Sequence, residues 1–209
     1  EHGFAIVNSA LQVKADENER KNIQKGIKKS KDGERIREAL SKTTIEECIK
    51  AVSTFKSGVK GHTFVTDGEK VWSIEQTSKH ENITEEIDPT TLHVRTNHGH
   101  NHEDAGYSEG ENLISSLNRR EKAEKVLRKV KSPERIAPSL MDARKEDRKD
   151  PNNLVRATDN MRTSSQLVMD ADRLRMWLYV IPEHAEFVTI ENKLPKGRTP
   201  KIKVQVFEY

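Results

Sequence analysis

Hydrophobic and polar positions change their spacing several times along the chain, and each change predicts a new element. The first apolar run, Phe4-Ala5-Ile6-Val7, is typical of a strand. Charged residues then dominate 16–31, where Ile23 and Ile27 stand four apart and form the thin apolar stripe of an exposed helix. We interpret this stretch as a solvated helical insertion.

Two further helices are marked by the residues at their starts. Asp32-Gly33 precedes a helix that carries Ile36 and Leu40. The segment Thr43-Thr44-Ile45-Glu46-Glu47 then combines a threonine cap with a glutamate three residues further on. Because the threonine accepts from a backbone N–H and the glutamate reaches back, this capping box predicts a helix that runs to about Phe55.

From Gly61 the spacing shortens to two, as in a strand. Two such runs, His62-Thr63-Phe64-Val65-Thr66 and Val71-Trp72-Ser73-Ile74-Glu75, flank the turn Asp67-Gly68, whose glycine can take a positive φ. These residues predict a β-hairpin. The segment 91–96 is expected to add a third strand to the same sheet.

The second half of the chain is helical first and then mostly β. A helix is predicted over 111–131, and Ser132-Pro133-Glu134 starts another by its serine cap and N1 proline. The long helix has an expected core-facing stripe at Leu113, Leu117, Ala123, Val126, Leu127 and Val130. After a charged, proline-broken loop at 145–153, short apolar runs predict strands at 164–170, 174–181, 186–190 and 202–207.

Strands at both ends of the chain with helices between them favour an α+β fold. We expect a layered sandwich in which the two ends of the chain pair in central sheets. At 209 residues the chain is long enough to bury a substantial core. Since no boundary shows in the pattern, a single domain over 1–209 is expected.

Composition indicates which classes of partner to expect, but it says little about the chemistry of the protein. The net charge of +3 is small beside 37 basic and 34 acidic residues, so nothing points to nucleic acid. No apolar run has the length of a membrane span and no signal-peptide pattern is visible, so we expect no membrane partner and a cytoplasmic location. The single cysteine, Cys48, lies beside Ile45, Ile49 and Val52, and we interpret it as a buried structural thiol.

The most informative run is His93-Val94-Arg95-Thr96-Asn97-His98-Gly99, followed later by Ser115-Ser116-Leu117-Asn118-Arg119. It places Asn97 at the end of a predicted strand and Arg119 on the next helix. A carboxamide can donate to an oxyanion without titrating, and arginine is a fixed positive charge, so the pair suits acyl-transfer chemistry. Two plainer roles stay open: an Asx turn at Asn97, and a solvated cation at Arg119.

Several motifs follow one another in a fixed order around this run. They are Gly3-Phe4-Ala5-Ile6-Val7-Asn8-Ser9, Ile36-Arg37-Glu38-Ala39-Leu40, Thr43-Thr44-Ile45-Glu46-Glu47, Gly61-His62-Thr63-Phe64-Val65-Thr66-Asp67-Gly68, Ile74-Glu75, Arg95-Thr96-Asn97-His98, 115–119 and Thr163-Ser164-Ser165-Gln166-Leu167-Val168-Met169-Asp170. In this order the chain resembles the acyl-coenzyme A:6-aminopenicillanic acid acyltransferase family. That family belongs to the wider group of choloylglycine hydrolases, penicillin V acylases and acid ceramidase-like linear amide hydrolases.

The resemblance implies an N-terminal nucleophile hydrolase with an αββα four-layer sandwich of two stacked antiparallel sheets. In such enzymes self-cleavage exposes a cysteine whose own α-amino group is the base, and this cysteine attacks an amide carbonyl. By the motif match, Asn97 takes the oxyanion-stabilising position and Arg119 the supporting arginine position, with a slip to Arg120 left open. Thr96 and His98 are expected to contact the substrate.

The resemblance also sets expectations for partners. They are a small-molecule amide or acyl substrate and no cofactor, with homo-oligomerisation left open. The chain departs from the family because the N-terminal cysteine, and the arginine and aspartate that usually follow it, belong well before Gly3. We favour a fragment of a longer enzyme over a truncated relative that has lost activity, and we expect this chain alone to be inactive.

Two other hypotheses stay open. His98, His100 and His102 alternate, so in an extended segment all three rings would project from one face, beside Glu103 and Asp104. Imidazole and carboxylate together suit zinc, manganese or iron, which favours metal-dependent hydrolysis. The absent nucleophile favours instead a non-catalytic binding module on the same fold. The nearby residues Ser115, Ser116 and Glu75 are interpreted as structural.

Overall fold

The computed structural model describes residues 4–11, 32–54, 61–77, 80–140, 149–158, 161–163, 165–170, 173, 175–180 and 203–208. The elements predicted at 16–31 and 186–190, and residues 145–148 of the loop predicted at 145–153, lie outside these residues. In the part that is described, no helix combines the length and the apolar character that crossing a bilayer requires.

The protein is mixed α+β, as the sequence predicts. Two compact units divide the chain, His2–Arg120 and a second one that contains Glu121–Tyr209. The single domain over 1–209 stays a prediction.

The first unit contains a four-stranded antiparallel sheet with the order β1-β2-β3-β4. Its strands are β1 (Ala5–Ala10), β2 (Gly61–Thr66), β3 (Val71–Gln76) and β4 (Ile83–Ile87). The hairpin of β2 and β3 confirms the prediction, and Gly68 in its turn has a φ of 98°.

The third strand predicted at 91–96 is wrong. β4 pairs with β3 instead, and 91–96 forms no strand. The sequence of β4, Ile-Thr-Glu-Glu-Ile, holds two adjacent glutamates, and within the described residues β4 is the last strand of its sheet, a position where charged side chains are common.

Two short helices cover one face of this sheet. They are α1 (Asp32–Leu40) and α2 (Ile45–Ser53). The predicted capping box is confirmed, since the N–H of Glu47 donates to Oγ1 of Thr44, and Oε2 of Glu47 accepts from the N–H of Thr43. Helices and sheet share an apolar core of Ala39, Ile45, Cys48, Val52, Val65 and Ile74.

The opposite face of the sheet is polar and still buried. Side chains alternate along a strand, so His62 and Glu75 point away from the face that carries Val65 and Ile74. His62, Ser73 and Glu75 are each exposed by 2% or less. Buried polar groups need hydrogen-bond partners, so this face requires polar structure above it.

A long helix, α3 (Gly110–Leu127), follows the loop that packs there. Its predicted apolar stripe is only partly right. Leu117 is 43% exposed, whereas the buried side chains at its start are polar, namely Ser115, Ser116 and Arg119.

The second unit has its own small core, formed by Ala137, Val168, Trp177 and Tyr179. A helical segment starts at Pro133 as predicted, with a 3₁₀ turn (Pro133–Arg135) and then α4 (Ile136–Leu140), but the side chain of Ser132 makes no capping hydrogen bond. The strands are β5 (Ala157–Thr158), β6 (Met161–Arg162), β7 (Ser165–Asp170), β8 (Arg175–Val180) and β9 (Lys203–Glu208). β7 and β8 pair antiparallel, but β8 and β9 pair parallel, so this sheet is mixed and not antiparallel as expected.

Candidate functional site

The residues 96–107, which we name the site loop, close on themselves over the polar face of the first sheet. The N–H of Gly99 donates to the carbonyl of Ala105 at 2.9 Å, and the N–H of Ala105 donates to the carbonyl of His102 at 2.9 Å. The N–H of Tyr107 donates to the carbonyl of Asn97, also at 2.9 Å. The loop is therefore a hydrogen-bonded unit rather than an open connection.

Glu75 anchors the far end of the site loop to the sheet. Its Oε2 accepts from the N–H groups of His100 (3.1 Å) and Asn101 (2.8 Å), and its Oε1 accepts from the N–H of His102 (3.2 Å). A buried carboxylate is costly unless it is hydrogen-bonded, and three N–H donors meet that need.

His62, on the neighbouring strand β2, is a second anchor of the loop. Its Nε2 donates to the carbonyl of His98 at 2.9 Å, and its Nδ1 lies 3.8 Å from Oε2 of Glu75. Burial lowers the pKa of His62, and the Glu75 carboxylate opposes this only in part. His62 is therefore neutral at neutral pH, and its proton is on Nε2, because the carbonyl of His98 can only accept.

Ser116 of α3 joins the near end of the loop to the helix. Its Oγ accepts from the N–H of Asn97 at 2.9 Å and lies 2.9 Å from Nδ1 of His98. Its own proton goes to Oγ1 of Thr96 at 3.0 Å, while the Thr96 hydroxyl donates to the Ser116 carbonyl at 3.0 Å. The Ser116 hydroxyl is completely buried, so it is a structural junction and not an accessible nucleophile.

The same network fixes the ring of His98. Nε2 of His98 lies 3.3 Å from Nη1 of Arg120, which can only donate, so the ring proton is on Nδ1 and is directed at Ser116. Burial lowers the pKa of His98 to about 4, helped by the charge of Arg120. His98 is therefore neutral at neutral pH. Because both ring nitrogens of His98 and the hydroxyl of Thr96 have partners in the chain, substrate contacts at these two residues stay a prediction.

Asn97 and Arg119 are brought together, as their spacing suggests. Nη2 of Arg119 donates to Oδ1 of Asn97 at 3.1 Å. Arg119 is only 8% exposed, so it is not one more solvated cation of the helix. Arg120, the other residue considered for this position, contacts His98, whereas Arg119 contacts Asn97. An Asx turn would use the N–H of Gly99, which donates to Ala105 instead.

The three alternating histidines do not share one face, so that expectation is wrong. The ring of His98 is turned to Ser116, whereas the ring of His102 stacks on His80 with centroids 4.3 Å apart. His80 in turn contacts Asp104, with 2.7 Å between Nε2 and Oδ1. Across the described ranges, no group of three or more histidine, cysteine, aspartate or glutamate residues is placed to hold a metal ion.

Cys48 lies in the apolar core on the opposite face of the sheet from the site loop. Its side chain is completely buried, and burial raises the pKa of its thiol. The interpretation as a structural thiol is therefore confirmed.

Glu75 and Ser116 are structural, as interpreted from the sequence, but the hydrogen bonds by which His62, Glu75 and Ser116 hold the site loop were not predicted. A signal for His62 and Glu75 was available, because the predicted hairpin register sets His62 directly opposite Glu75. Ser116 stands three residues before Arg119 and so lies on the same side of the helix. What the sequence could not reveal is that both groups meet at one loop.

No protein-family model, no curated protein and no solved structure matched this chain.

Proposed function

We propose that the protein is an amide (C–N) hydrolase or acyltransferase of the N-terminal nucleophile class. In this proposal Asn97 stabilises the oxyanion and Arg119 orients Asn97. The single observation that carries the proposal is the hydrogen bond from Nη2 of Arg119 to Oδ1 of Asn97. Further support comes from the order of the sequence motifs.

The hydrogen bond supports an oxyanion role because it settles the direction of the carboxamide. A guanidinium cannot accept, so the oxygen of Asn97 faces Arg119 and the NH₂ group lies at the other end. The cation also withdraws electron density from the amide, which makes its N–H a stronger donor. A neutral donor held in advance suits a tetrahedral intermediate, since it needs no rearrangement when charge develops.

The nucleophile in this proposal is a cysteine at the N-terminus of the mature enzyme, which this chain does not contain. Its α-amino group would take the thiol proton, the thiolate would attack the amide carbonyl, and the amine would leave. Water would then release the acid, or a second amine would take the acyl group. Cys48 cannot serve, because it is buried in the core.

The finer architecture belongs to the same proposal. A four-layer αββα sandwich needs each sheet to carry helices on one face and to leave the other for the second sheet. What supports it is the first sheet, where α1 and α2 share an apolar core with one face. A crystal structure without two stacked sheets would remove this part.

The decisive experiment uses the protein expressed from its whole reading frame. We expect it to hydrolyse members of a panel of N-acyl amides and to show, by intact mass, an acyl adduct on its N-terminal cysteine. The matched control replaces that cysteine by serine. Folded protein that gives neither product nor adduct would refute the enzyme and leave a binding module as the better description.

A further inference from the structure

Two buried residues on neighbouring strands hold the site loop. One binds a backbone carbonyl of the loop, and the other binds backbone N–H groups. His62 on β2 and Glu75 on β3 are direct cross-strand partners. His62 donates to the carbonyl of His98, and Glu75 accepts from the N–H groups of 100, 101 and 102. Both side chains are 2% exposed or less.

The chemistry of each side chain matches what it holds. A carbonyl requires a donor, which Nε2 of His62 supplies. Three successive N–H groups require an acceptor with two oxygens, and among side chains only a carboxylate offers this without adding a donor of its own. A glutamine would turn an NH₂ group towards at least one backbone N–H.

The position of these contacts matters for Asn97. The contacts from His62 and Glu75 start at His98, the residue that follows Asn97. The sheet therefore fixes the backbone on the C-terminal side of Asn97. Ser116 fixes the other side through the N–H of Asn97 itself. Arg119 then sets only the rotation of the carboxamide.

We infer that Glu75 is a positioning residue, which fixes the backbone that carries Asn97 and does so together with His62, while neither contacts the substrate. The anchoring of the loop stands by itself. Its effect on turnover rests on the proposed function.

The first test needs no activity. In Glu75→Gln we expect the amides of 100–102 to exchange with solvent about tenfold faster or more, because each loses part of a charge-assisted hydrogen bond. We also expect the side-chain NH₂ resonance of Asn97 to shift. The matched control is Glu86→Gln, an exposed glutamate on β4 paired with Lys70, which should leave both signals unchanged.

Unchanged exchange and an unchanged Asn97 resonance in Glu75→Gln would overturn the inference. If that variant does not fold, His62→Ala takes its place, since it removes the anchor at the His98 carbonyl. Faster exchange at Gly99 and Ala105, whose N–H groups close the loop, is then the expected result. Wild-type exchange there would count against the inference.

The second test is a double-mutant cycle in the catalytically competent protein. Glu75→Gln should lower kcat about tenfold and change KM by less than about twofold, since the loss concerns a donor used in the transition state. In the Asn97→Ala background, Glu75→Gln should lower kcat only slightly further. Additive losses would show that Glu75 does not act through Asn97. If wild-type protein transfers no acyl group, the proposed function fails, while the exchange and resonance data still decide the anchoring.

Discussion

Arg119 and Asn97 are 22 residues apart in sequence and share a hydrogen bond of 3.1 Å from Nη2 to Oδ1. The arginine comes from a helix and the asparagine from a closed loop, and Ser116 of the same helix also holds the N–H of Asn97, so the two backbones are joined at two points. A pair held in this way has one orientation, which is the property that a donor to a developing charge requires.

Substitutions of Asn97 test the role of its NH₂ group. In the catalytically competent protein, Asn97→Ala should lower kcat by on the order of a hundredfold or more, as the loss of one oxyanion donor does. Asn97→Asp keeps the shape and the partner Arg119 but places a negative oxygen where the donor was. We expect it to lose at least as much turnover while remaining folded.

Steady-state kinetics and urea unfolding of both variants supply the measurement. Turnover close to wild type in both variants would remove Asn97 from the mechanism. A loss in Asn97→Ala that Asn97→Asp restores would show that only the contact to Arg119 matters.

Local elements of the fold could be predicted from the sequence where short-range chemistry decides them. The capping box at Thr44, the turn at Gly68 and the helix start at Pro133 each depend on neighbours within a few residues. β4 was missed because its adjacent glutamates resemble a loop, and an edge strand tolerates them.

The candidate site could be predicted only in part. Asn97 and Arg119 stand out by residue type, but the groups that hold them depend on distant pairings. Glu75 binds a loop that is about 25 residues away in sequence, so no local pattern indicates the contact. Ser116 is one of several serines in the chain, so its residue type does not mark it as the partner of Asn97. The start of α3 also buries a polar side, so hydrophobic spacing indicated the wrong residues there.

Removing the hydroxyl of Ser116 should destabilise the protein. Its Oγ serves the N–H of Asn97, the ring of His98 and the hydroxyl of Thr96, so Ser116→Ala leaves buried groups without this partner. We expect a loss of about 1–3 kcal/mol in the free energy of unfolding. Urea denaturation measures it, and Ser108→Ala, at an exposed serine, should change stability by less than about 0.5 kcal/mol. Equal effects in the two variants would contradict the network.

Two glycines with the same backbone conformation offer a matched pair. Gly106 and Gly110 both have a φ of 67°, which costs an alanine about 1 kcal/mol. At Gly110 a Cβ meets nothing within 4 Å, whereas at Gly106 it collides with the carbonyl of Asn97 and approaches Cδ2 of Leu11 at 2.8 Å. Gly106→Ala should therefore cost clearly more than Gly110→Ala in urea unfolding. An equal loss of unfolding free energy in both variants would mean that the loop backbone can move to accommodate a Cβ at Gly106.

The buried neutral histidine makes stability depend on pH. The pKa of His98 is about 4 in the folded protein and about 6.5 in an unfolded chain, so between these values the unfolded state binds more protons. Stability from this group is complete above about pH 6.5 and is lost as the pH falls towards 4. The lowered pKa of His62 acts in the same direction.

The expected slope from His98 alone is about 1.4 kcal/mol per pH unit over most of this window. His98→Asn keeps a donor near the position of Nδ1 but cannot titrate, so its unfolding free energy should fall less steeply with acid, by about that slope. Urea unfolding at pH 7, 6 and 5 provides the comparison, and carboxylates contribute equally to both proteins. The same pH dependence in wild type and variant would mean that His98 accepts a proton without loss of the fold, and that burial and the charge of Arg120 do not hold the ring neutral.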